Sequence, residues 1–86
     1  MQAVDIRISG IEIDFELAGN LAEDLVRRDI ESPMLLCWSD SVKGLHSPSG
    51  VQCEIKGEPG WEVYGRSHGG QYRISVNNDE YVFIFC

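Results

Sequence analysis

No run of the roughly 18 apolar residues that a membrane-spanning helix requires occurs in this 86-residue chain. Basic residues are scarce, 7 Lys and Arg against 14 Asp and Glu, which leaves a net charge of -7 and a pI near 4.5. Such a surface does not displace cations from phosphates, so neither nucleic acid nor an anionic membrane is an expected partner. Met1 to Arg7 lacks the charged and apolar regions of a signal peptide. Cysteine is limited to Cys37, Cys53 and Cys86, too widely spaced and odd in number for a disulfide framework. A cytoplasmic location with reduced thiols is the expectation.

Catalytic and metal signatures are also missing. Cys37, His46, Cys53 and His68 include the ligand types that zinc takes. No Cys-x-x-Cys or closely spaced His pair organises them, however, so no metal or other cofactor is expected. Ser39, Asp40, Ser41 and His46 sit where a strand should run into a loop, a common place for reactive groups. No Gly-x-Ser-x-Gly elbow accompanies them, and serine beside aspartate is ordinary turn chemistry. There is no internal repeat, linker or low-complexity stretch. With 43% hydrophobic and 24% charged residues, the composition is that of one folded domain.

Trp61 to Cys86 carries the clearest pattern. Trp61 to His68 alternates apolar and polar residues, Gly69-Gly70 follows, Gln71 to Val76 alternates again, and Asn77 to Glu80 leads into Tyr81 to Cys86. Glycine and asparagine tolerate the positive φ of tight turns, so the reading is a three-stranded antiparallel meander. Its register sets Val63 against Val76 and Gly65 against Ile74, then Val76 against Tyr81, Ile74 against Phe83 and Tyr72 against Phe85. One apolar face results. A slip of one residue would turn it inside out.

The opposite face of that meander would bring Arg66 beside Arg73, with Tyr64 and His68 adjacent. Like charges directly opposite repel, so a nearby carboxylate such as Glu62 or Glu80 is expected. The sharper alternative is a small anion site made by Arg66, His68 and Arg73, bordered by Tyr64. Val82, Ile84 and Cys86 make the last strand apolar on both sides. Either the molecule covers them itself, or Val82 and Ile84 form a contact surface for a partner or a second copy.

Upstream, Val4, Ile6 and Ile8 alternate with Asp5, Arg7 and Ser9, a half-buried strand. Asp14 suits an N-cap, and Phe15, Ala18, Ala22 and Leu25 have helical spacing, so a helix of about 17 residues is expected to run to Ser32-Pro33. Met34 to Asp40 is apolar on both faces and reads as an interior strand, with Cys37 in the core. Ser41 to Ser49 reads as a loop. Val51, Cys53 and Ile55 suggest a further strand, turned by Lys56 to Gly60 so that Ile55 faces Trp61 and Cys53 faces Val63. Trp38 and Trp61 could serve as ligand platforms, but tryptophan in a small domain usually belongs to the core.

Pro33 to Asp40, His46-Ser47-Pro48, Pro59 to Tyr64 and Asn77 to Phe83 together resemble a family of small, uncharacterised archaeal and bacterial single-domain proteins. The resemblance covers most of the chain from the helix onward. It implies a prokaryotic source and a compact standalone domain, and it carries no activity, ligand or catalytic residue. The fold expected is α+β, a mainly antiparallel sheet with a C-terminal β-meander packed against one helix. The function expected is a noncatalytic binding or interaction module, often homodimeric. The alternative is an anion-binding or catalytic protein using Arg66, Arg73 and His68, or the loop from Asp40 to His46.

Overall fold

A computed structural model describes residues 1–86. Its centre is a five-stranded sheet in the order β1-β6-β7-β2-β3, with α1 on one face and the shorter α2 on the other. The strands of this sheet are β1 (Gln2–Ile6), β2 (Leu35–Asp40), β3 (Leu45–Ser47), β6 (Tyr72–Val76) and β7 (Tyr81–Phe85). A small separate ribbon pairs β4 (Glu54–Ile55) with β5 (Glu58–Pro59). The helices are α1 (Phe15–Val26) and α2 (Gly60–Ser67). β1 runs parallel to β6, and the other neighbours in the large sheet are antiparallel. The architecture is therefore α+β with a mostly antiparallel sheet.

The β6 and β7 hairpin has the register read from its alternation: Tyr72 opposite Phe85, Ile74 opposite Phe83, Val76 opposite Tyr81. Asn77, Asn78 and Asp79 take positive φ of 51°, 55° and 65° at its turn, where Asn and Asp are tolerated. Ile74, Val76, Tyr81, Phe83 and Phe85 form the core with Ala18, Ala22 and Val26 of α1. The two alanines recur at a spacing of four and let the helix lie close to the sheet. Asp14 caps α1, its carboxylate accepting from the Leu17 N-H at 2.8 Å.

Several expectations need correction. Trp61 to His68 is not a strand but α2. Its sequence satisfies both periods, because Trp61, Tyr64, Gly65 and His68 also share a helical face. Gly69-Gly70 is the end of that helix and not a hairpin turn. Gly69 lies at φ +90°, and the Gly70 N-H reaches back to the Gly65 carbonyl at 3.0 Å, a Schellman closure. The place beside β6 is taken by β1, with Gln2, Val4 and Ile6 opposite Tyr72, Ile74 and Val76. The domain thus has two helices rather than one.

The other differences are local. α1 stops at Val26, because N-H bonds from Arg28 to Leu25 and from Asp29 to Val26 tighten the following turn. Ser41 to Ser49 is not all loop, since Leu45–Ser47 forms β3. Ile55 pairs with Glu58 and Glu54 with Pro59, so neither Ile55 nor Cys53 faces α2 residues across a ladder. Val82 and Ile84 are 1% and 0% exposed. α2 packs over this side of the sheet, with Gly65 against Cys37 and Ile84, so these two residues form no open contact surface. No helix is long and apolar enough to cross a membrane.

Candidate functional site

The candidates drawn from the sequence do not converge. Arg66, on α2, makes a two-pronged ion pair with Glu58, Nη1 to Oε1 at 2.7 Å and Nη2 to Oε2 at 2.9 Å. This pairing lowers the Glu58 carboxyl below its usual range and raises the guanidinium. Arg73, on β6, donates to Glu62 at 3.1 and 3.2 Å and to Asp79 at 3.2 and 3.3 Å. Burial works against its charge, but the Asp79 and Glu62 hydrogen bonds outweigh that and raise its pKa. Asp79 is held below the ordinary carboxylate value by Arg73 and by Ser75, whose Oγ donates to it at 2.6 Å. The two arginines therefore do not stand abreast on one sheet face. Each is neutralised by its own carboxylates, as expected in a chain with so many acids.

His68 stacks on Tyr64, with ring centroids 3.9 Å apart, and its Nδ1 donates to the Tyr64 carbonyl at 2.8 Å. This closes the last turn of α2. Asp40 is buried and accepts from the Val42 and Lys43 N-H groups at 3.0 and 3.1 Å, an Asx turn that holds the β2–β3 loop. His46 Nδ1 donates to the Pro48 carbonyl at 3.0 Å. Cys37, on β2, is buried beneath α2, and burial pushes its thiol up to about 11, with a hydrogen bond to the Gly65 backbone offsetting part of the rise. A protonated, enclosed thiol is a packing group and not a nucleophile. No group of three or more His, Cys, Asp or Glu side chains gathers at a spacing that would hold a metal ion.

An opening of a different kind lies where the sheet is wider than α1. The helix covers β6 and β7, and the space between its flank and β2 is a groove of about 310 Å³. Phe83 and Phe85 form its floor, Phe15 and Trp38 its aromatic wall, and Leu35 its outer lip. Phe15 sits 4.7 Å from Trp38 and 5.2 Å from Phe83 between ring centroids, both tilted contacts. Gly19 forms part of the helix side, and a Cβ there would stand 3.3 Å from the Phe83 ring. The absence of that side chain keeps the floor open.

The polar lining of the groove is one-signed. Glu16, Asn20 and Glu23 project from successive turns of α1, and no Lys or Arg lines the cleft. Glu23 is shared with Arg27 in an exposed i,i+4 pair at 3.1 Å, while Glu16 lies in the first turn, where the helix dipole favours an acid. An apolar slot under carboxylates accepts a flat or branched apolar group that carries a cation at its edge. The sequence places Trp38 in the core and does not by itself assemble Phe15, Leu35 and the three polar residues beside it. The signals present are a glycine inside a helix and a strand apolar on both faces with one face left over.

Comparison with curated proteins gives no match. Among solved structures, this chain is similar to the crystal structure of a novel protein, AF1514, from Archeoglobus fulgidus DSM 4304. The two share 28% identity with a TM-score of 0.82, over 100% of this chain and 93% of that one. A sequence profile described as a domain of unknown function, DUF5619, matches residues 1–85. The chain therefore belongs to the DUF5619 family.

Proposed function

We propose that this domain is a noncatalytic, cytoplasmic binding module whose recognition surface is the groove between α1 and β2, and that it takes an apolar group bearing a positive charge. The observation that carries this reading is the pairing of an open aromatic slot with a rim whose charged lining residues are both carboxylates, Glu16 and the Glu23 that Arg27 shares. The reactive side-chain types elsewhere are engaged in structural work: Asp40 in a turn, His46 on the Pro48 carbonyl at the end of β3, Arg66 and Arg73 in ion pairs, Cys37 in packing. A partner of the opposite sign also suits the net charge of -7, which speeds encounter with cations.

The test uses Trp38 as reporter. Trp61 lies on α2, across the sheet from the groove, so the Trp61→Phe variant leaves one tryptophan at the site. Titration with 2-phenylethylammonium is expected to change Trp38 emission at millimolar concentration and to weaken as salt is added. The charge-reversed 3-phenylpropionate is expected to bind more weakly. Equal response to both probes, or a stronger response to the carboxylate, contradicts the reading.

A further inference from the structure

Resting on the groove as the recognition surface, we propose that its partner is an extended, basic peptide segment. That segment adds as a strand beside the open half of β2 and sets one apolar side chain into the groove. The sheet leaves space for it. β3 pairs only with Trp38, Ser39 and Asp40, whereas β2 begins at Leu35 and is paired on its other side with β7 from Leu35 to Asp40, with a bulge at Leu36 that brings Leu35 and Trp38 onto one face. Pro48 follows Ser47 directly and has no N-H to donate, so the chain's own edge strand stops there.

The backbone groups at this edge point the right way. Met34 and Cys86 exchange both main-chain hydrogen bonds, at 2.9 and 3.0 Å. In an antiparallel ladder the next residue turns its N-H and C=O to the opposite side. Those of Leu35 therefore face outward, with no strand of the sheet beyond them. Sheet edges are ordinarily blunted by charge or by proline. Here Pro33 and the bulge at Leu36 bound the free stretch, and the residues between them, Met34 and Leu35, are apolar and 62% and 43% exposed.

A strand added there lies about 4.8 Å from β2 and sends alternate side chains over the sheet face that Leu35 and Trp38 share with the groove. Main-chain pairing supplies affinity and the slot supplies selection, the usual division in strand addition. Residues two positions either side of the inserted apolar group then lie on the Glu16 and Glu23 side. Lysine or arginine fits there. A second copy of this chain, with twice as many acids as bases, is a poorer occupant than a basic segment.

The experiment is an amide NMR titration of the whole chain with the capped peptide Lys-Thr-Lys-Thr-Phe-Thr-Lys-Thr-Lys. Two versions are N-methylated on one or the other set of alternate residues, and one carries Glu for every Lys. The parent peptide is expected to shift Leu35, Leu36 and the Trp38 indole and to slow exchange of the Leu35 amide. One methylated version should bind about tenfold more weakly and the other almost normally, because only one edge of an added strand meets β2. The Glu version should fail. If both methylated versions bind as the parent does, strand addition is wrong while the groove stands. Strand addition is equally wrong if 2-phenylethylammonium binds and no peptide does. Concentration-dependent shifts at Leu35 without peptide would show a second copy there and overturn the proposal. Silence from every probe would remove the groove reading as well.

Discussion

Gly65 and Cys37 touch across the sheet face that α2 covers: a Cβ built on Gly65 would stand 2.5 Å from Cys37 Sγ and about 3 Å from the Ile84 side chain. The glycine therefore sets how close α2 can lie, and α2 in turn buries Val82 and Ile84. Gly65→Ala is expected to destabilise the fold by about 1–3 kcal/mol through overpacking, despite a gain of about 1 kcal/mol in helix propensity. Chemical denaturation of Gly65→Ala, Cys37→Ala and the double variant checks this. The double variant should be more stable than the sum of the singles implies, because removing Sγ relieves the closest contact.

The same thiol gives the domain an alkaline weakness. Below about pH 9 Cys37 is protonated in both folded and unfolded chains, so it contributes no pH dependence. Between its ordinary value and the folded value of about 11, the unfolded chain loses the proton and the folded one keeps it. Stability falls through that window, by up to roughly 2–3 kcal/mol at about 1.4 kcal/mol per pH unit. Denaturation midpoints at pH 8, 9, 10 and 11 for the natural chain and for Cys37→Ala check this. The variant should show a flatter decline. Thiol reagents at neutral pH should label exposed Cys53 first and reach Cys37 only on unfolding.

Leu35→Lys separates recognition from stability. Leu35 forms the outer lip of the groove and is substantially exposed, so its replacement should change folding stability by no more than about 0.5 kcal/mol. A cation on the lip opposes a cationic ligand. Affinity for 2-phenylethylammonium should fall several-fold while the melting temperature holds, and paired calorimetric and thermal measurements check both.

Much of the fold is legible in the sequence because two periods are hard to confuse over a hairpin. Ile74, Phe83 and their neighbours alternate on both strands around an Asn-Asp turn, and only one register keeps them on one face. Asp14 and the Ala18, Ala22 spacing mark α1 in the same way. Trp61 to Ser67 is not legible. Residues that alternate there also carry apolar groups at helical spacing, and Gly69-Gly70 closes a helix as well as it turns a hairpin. That one ambiguity carries the arginine face with it, since Arg66 beside Arg73 requires a strand. Glu58 and Glu62 can be paired with the arginines only once α2 is known.

The groove is hidden for a different reason. Phe15, Gly19, Leu35, Trp38 and Phe83 come from three elements, and the space among them depends on how far α1 extends over the sheet. No local pattern encodes that distance. Leu35 is legible as apolar, but its outward backbone follows from the Met34 and Cys86 pairing, and its lack of a strand partner from β3 being three residues long.

The most direct test of the central claim is a map of amide and indole shifts in the labelled chain as 2-phenylethylammonium is added. The groove account expects changes confined to Phe15, Gly19, Asn20, Leu35 and Trp38, reduced at high salt. Shifts centred on Arg73, His46 or His68, or a spectrum that does not move at millimolar probe, would contradict it.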